Sequence, residues 1–85
     1  MDIYELARRA RVLPDQYATR LPPATLAGLR QMAGGGEYGE LVIELTATLA
    51  KSGVIVSADE QQELRALLAA SGWPPYPADQ LSVGE

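Results

Sequence analysis

Glu37, Glu40 and Glu44 are the residues of this chain whose type and spacing come closest to a chemical site. On a helix turning ~100° per residue they share one narrow strip. Paired carboxylates can work as acid and base, or hold a hard cation. Both tasks need an enclosed pocket that shifts a pKa or strips water from an ion. Three acids along one helix face do not make such a pocket, so the strip reads as a solvated face or a docking surface. The chain has no histidine and no cysteine. That removes the usual general base, the thiol nucleophile and the common zinc ligands. Ser52, Ser57 and Ser71 fall at helix ends, and Ser82 lies near the C-terminus. No EF-hand spacing occurs. Gly34-Gly35-Gly36 could cradle phosphate only after a strand and before Lys-Ser/Thr. Here a helical pattern precedes it and Glu37 follows. The residues therefore point away from an enzyme, a cofactor or a metal centre.

The acidic strip needs a helix to carry it. Tyr38, Leu41, Val42, Leu45 and Leu49 recur on one side of a helix over 37–52, and Ile43, Ala47 and Ala50 cover most of the other. Such a helix is buried on several sides, so others must surround it. Val42, Ile43, Thr46 and Thr48 are β-branched and admit a strand. Leu41-Val42-Ile43 does not alternate as a half-buried strand should, and helix is the reading adopted.

Three more helices follow from punctuation. A helix over 2–13 takes Asp2 as N-cap with Glu5 three residues on. It buries Ile3, Leu6, Ala7, Ala10 and Leu13, leaves Arg8, Arg9 and Arg11 outside, and is ended by Pro14. One turn after Pro14 points Tyr17 and Leu21 inward. Pro22-Pro23 breaks the chain, and Pro23 starts a helix over 23–33 with Leu26 and Leu29 facing in. Gly28 in its middle suggests a close approach of another helix. Gly53 and Gly72 close the helices before them, with Val54 and Trp73 packing back. Ser57 and Glu60 form a capping box for a helix over 58–71 that carries Leu64, Leu67 and Leu68 inside. Val54-Ile55-Val56 reads as a plug on the core or as a short edge strand. Three prolines within Pro74–Pro77 favour an extended, mobile tail. The expected architecture is all-α: a small bundle of four main helices in one domain, 1–73, with a proline-rich tail, 74–85.

Charge narrows the partners. The net charge is −4 over 85 residues. Residues 1–36 hold five arginines against three acids, and residues 37–85 hold two cations against eight acids. An acidic second half disfavours nucleic acid and suits a basic partner or plain solubility. No apolar run approaches the ~20 residues of a membrane span, and the N-terminus does not read as a signal peptide. A soluble, cytoplasmic, monomeric protein that binds neither membrane nor nucleic acid is expected.

A leucine-rich helix, then Gly36-Glu37-Tyr38 opening an amphipathic helix, then Gly53–Glu60 (GVIVSADE), a second amphipathic helix and a closing Gly72-Trp73 form an ordered pattern across 23–73. It resembles the small MafI-like immunity proteins of bacterial polymorphic toxin systems. The resemblance implies a helical protein that binds and neutralises a cognate toxin, often a nuclease with a basic active site. Here the candidate partner-binding face is Glu37, Glu40 and Glu44, joined by Asp59 and Glu63. Glu60 is a weaker member because it is needed for capping. The alternative is a docking or carrier-like domain of a biosynthetic assembly line, with Ser57 opening a helix as a carrier serine does. Val56 and Ala58 beside it depart from the Asp-Ser-Leu pattern of such carriers.

Overall fold

A computed structural model describes residues 1–84. It is an all-α bundle of four main helices with a two-stranded parallel sheet at one edge. Helix α1 spans Ile3–Ala10, the single turn α2 Leu13–Gln16, α3 Pro23–Gly34, α4 Tyr38–Ser52 and α5 Ala58–Ala70. Two 3-10 segments, Ala18–Arg20 and Tyr76–Gln80, and two short strands, β1 Ile55–Val56 and β2 Ser82–Val83, complete the fold.

Helix α4 lies in the middle and packs against α1, α3, α5 and the 3-10 helix Tyr76–Gln80. Leu41, Val42, Leu45, Thr46 and Leu49 are its buried residues. Thr46 satisfies its hydroxyl by donating to the Val42 carbonyl at 2.8 Å, so a polar group enters the core without an orphaned donor. Leu13, Tyr17, Leu29, Leu64, Leu67 and Leu68 fill the space around it. Each fully buried leucine contributes roughly 2 kcal/mol of transfer free energy, which a chain this short needs in number.

Glycine closes three helices in the same way. Gly36, Gly53 and Gly72 all have positive φ. Around them Glu37 N–H donates to Met32 O at 2.8 Å, Val54 to Leu49 at 3.2 Å and Trp73 to Leu68 at 2.9 Å. These are the six-to-one bonds of Schellman caps. The Ser57–Glu60 capping box is present in both directions, at 3.0 Å and 2.9 Å. Asp2 caps α1 through the Glu5 N–H at 2.8 Å, while the Glu5 side chain pairs with Arg9 at 3.3 Å instead of completing a box.

Several expectations need correction. The helix expected over 2–13 closes at Ala10, and Pro14 sits in the first turn of α2, where its missing N–H costs nothing. Ile3 was expected inside but is 73% exposed, because it lies on the first turn of α1, beyond the elements that cover Leu6 and Ala10. Gly28 marks no close approach: a Cβ there would meet nothing within 4 Å. Within the helices it is Gly39 that lies against a neighbouring element, its Cβ position 3.5 Å from Ser71 Cβ and 3.7 Å from Trp73 Nε1.

The largest difference is at the C-terminus. The expected extended tail folds back: Tyr76–Gln80 packs on α4 and α5, Ala78 and Leu81 are buried, and Ser82–Val83 pairs in parallel with Ile55–Val56. Pro75 and Pro77 have the fixed φ that a 3-10 turn uses at its start. The link at 54–56 is thus an edge strand with Val56 buried and Ile55 exposed. Gln61 Nε2 holds the returning segment through the Ala78 carbonyl at 2.9 Å, and Arg65 pairs with Asp79.

Candidate interaction surface

The acidic strip belongs to α4. Glu37 precedes its first residue and makes no side-chain cap, Glu40 lies in the first turn, and Glu44 follows one turn later. All three are exposed. Helical spacing makes Glu40, Glu44, Ala47 and Lys51 surface neighbours. Glu37 and Glu40 also sit at the positive end of the α4 dipole, which favours carboxylates there. Glu44 lies beyond that first turn and has no such local reason.

The other expected members are not on this strip. Trp73, after the end of α5, donates its indole N–H to Gly39 O near the start of α4 at 3.0 Å. The two helices therefore run antiparallel, and the start of α5 lies beside the end of α4. Asp59, in the first turn of α5, is separated from Glu37 and Glu40 by nearly the length of α4, ~20 Å at 1.5 Å per residue. It lines an open depression of about 390 Å³ with Ser57, Ala58, Val83 and Gly84. Glu63 is half-buried and pairs with Arg9 of α1 at 3.7 Å. The five expected residues thus divide into a strip of three, an isolated Asp59 and a partnered Glu63.

Glu60 is the most heavily engaged acid. Its carboxylate receives the Arg20 guanidinium at 2.9 and 2.7 Å and Gln16 Nε2 at 3.2 Å, while also accepting the Ser57 N–H. The Arg20 hydrogen bonds, helped by those from Ser57 and Gln16, hold the Glu60 carboxyl down to about 2. Arg20 in turn lies over the Tyr17 ring, 4.4 Å from its centroid, and its own pKa is raised by the same hydrogen bond. Burial pushes the Tyr17 phenol up, and its hydroxyl has no hydrogen-bond partner. This cluster ties α2 and the following turn to α5. Ser57, the carrier-like serine of the alternative reading, is committed to the Glu60 N–H as N-cap.

Two further surfaces stand out, the first with no signal in the sequence and the second read there only as exposed arginines. One is an open depression of about 390 Å³ between α4 and the returning C-terminal segment, lined by Ile43, Ala47, Ala50, Lys51, Tyr76, Pro77 and Gln80. It exists only because residues 76–80 fold back. The other is the outer side of α1, where Ile3 and Tyr4 are 73% and 79% exposed. The available signal there was Tyr4, Arg8 and Arg11 at i, i+4, i+7 spacing.

Among the described residues no three carboxylates converge to hold a metal ion, and no helix is long and apolar enough to cross a membrane. Comparison with family models, with curated proteins and with solved structures finds no match to this chain.

Proposed function

We propose that the chain is a non-catalytic inhibitor of the immunity type, which binds a basic protein toxin through the carboxylate strip of α4. One observation carries the reading. Glu5, Asp15, Glu60, Glu63 and Asp79 each pair with an arginine of the same chain, and of the five acids with no ion pair among the described residues, Asp2 and Asp59 stand alone while Glu37, Glu40 and Glu44 share one exposed strip. Uncompensated acids gathered on one strip set up a local negative potential that steers a basic partner and speeds association. A nuclease site, basic because it holds phosphate, is a partner of that chemistry.

The test is direct binding to the product of the gene immediately upstream, followed by calorimetry at low and high salt. Binding that weakens as salt rises, and that E40R/E44R abolishes with the helical circular dichroism unchanged, supports the reading. Affinity indifferent both to salt and to the double charge reversal sinks it.

A further inference from the structure

We propose that the outer face of α1 docks on the strip and depression of α4 in a second copy of this chain. The α1 face has the composition of an interface. Met1, Ile3, Tyr4 and Val12 are each at least half exposed, and Arg8 and Arg11 between them are exposed and make no ion pair among the described residues. Tyrosine and arginine, with tryptophan, are enriched among the side chains that dominate binding energy.

The complement to this face is on the same molecule. Tyr4, Arg8 and Arg11 lie along one side of α1 over seven residues, and Ala47, Glu44 and Glu40 lie along the exposed side of α4 over the same seven. Both spans are ~10 Å. Laid antiparallel with Tyr4 at Ala47 and Arg11 at Glu40, the middle pair Arg8 and Glu44 is offset by one residue, ~1.5 Å along the axis, which the long arginine side chain spans. At Ala47 the depression walled by Ile43, Ala50, Tyr76 and Pro77 receives the phenol ring. Asp2, just ahead of Tyr4, then comes toward Lys51, a cation that also lacks an ion pair among the described residues. The parallel arrangement sets Tyr4 against Glu40 and Arg11 against Ala47 and loses this match.

The contact joins different faces of the two copies. It closes into a pair where a two-fold axis lets both contacts form together, and otherwise runs on as a chain. It needs only this chain and does not rest on the toxin reading. A basic partner that meets Glu40 and Glu44 competes with it.

Sedimentation velocity on the full chain over a range of concentrations tests the proposal. At low ionic strength the average mass rises above the 9.1 kDa monomer with concentration. It returns to the monomer as salt shortens the Debye length from ~30 Å to ~3 Å. R8E/R11E and E40R/E44R each give monomer. Their equimolar mixture associates again, because each reversed face now meets an opposite one. Y4A weakens association without touching a charge. All these positions are exposed, and circular dichroism with thermal melting confirms folding of each variant. Should E40R/E44R fail to fold, E40Q/E44Q removes the same charges more gently. A chain that stays monomeric throughout overturns the proposal. So does association that both double variants leave unchanged, or a mixture of folded variants that remains monomeric.

Discussion

Replacing Glu60 by glutamine tests the strongest electrostatic joint in the fold. Glutamine keeps the shape but removes the charge that Arg20 grips at 2.7 and 2.9 Å. The Glu60 carboxyl falls from an ordinary 4.5 to about 2, chiefly through the Arg20 hydrogen bonds. At 1.36 kcal/mol per tenfold change in proton affinity, that drop bounds the contribution at ~3 kcal/mol. The joint is not sealed from water: the Glu60 side chain keeps 17% of its exposure and Arg20 keeps 30%. Solvent screening and the desolvation of Arg20 reduce the expected loss to ~1–2 kcal/mol. Urea unfolding followed by Trp73 fluorescence reads this as a midpoint shift of ~1 M for a small domain with m near 1 kcal/mol per molar. The pH dependence has a definite sign. Between about 2 and 4.5 the unfolded state binds more protons at this site than the folded state, so the contribution is complete above the upper value and fades as pH falls toward the lower. The stability difference between wild type and E60Q therefore stays level from pH 8 to pH 5 and closes below that. A difference that persists undiminished at pH 2, or that is within error of zero at pH 7, refutes the assignment. A double-mutant cycle with R20M isolates the pair: coupling near zero shows that the loss, if any, comes from elsewhere.

Other perturbations separate backbone from packing. G28A should stabilise by ~0.5–1 kcal/mol, since a Cβ meets nothing within 4 Å and alanine narrows the unfolded ensemble. G53A should destabilise by about 1 kcal/mol, because its φ is +68° and an L side chain is strained there. Both are read by urea denaturation, and equal effects of the two substitutions would contradict the assigned backbone. L81A should cost ~2–4 kcal/mol as a buried large-to-small change. An unchanged urea midpoint in L81A would mean that the C-terminal segment is not part of the core.

The helices were legible because their ends carry local chemistry. Ser57 with Glu60, Gly53 before Val54 and Gly72 before Trp73 are all satisfied within a few residues of chain, so no knowledge of the fold was required. What the sequence hid depends on distant partners. Val54-Ile55-Val56 becomes an edge strand only because Ser82-Val83 returns to it. Three prolines suggested an extended tail, yet the buried pair Ala78 and Leu81 has the i, i+3 spacing of a 3-10 helix, and its prolines fit the first turn. Ile3 carried the right periodicity for burial, but periodicity does not say how far along a helix the neighbours reach. Gly28 and Gly39 could not be told apart by position in the chain. Only the antiparallel packing of α4 and α5, which brings Ser71 and Trp73 to Gly39, assigns the contact.

The acidic face shows the same division between local and distant information. A chain whose first 36 residues are basic and whose remainder is acidic gains by folding one half onto the other. It does so at two joints, Arg9 with Glu63 and Arg20 with Glu60. Those arginines therefore bind α5 to the N-terminal elements and partly withdraw Glu60 and Glu63, though not Asp59, from the surface. Arg8 and Arg11 are exposed and make no ion pair among the described residues, and of the five acids there that likewise have none, Glu37, Glu40 and Glu44 gather on α4 while Asp2 and Asp59 stand apart. Net charge by halves could not distinguish acids consumed by folding from acids left for a partner, because neutralisation depends on which arginine faces inward. On α1 that is Arg9 alone. Arg8 and Arg11, three residues apart on the outer face, and the α4 strip that matches them, are what the fold leaves available for binding.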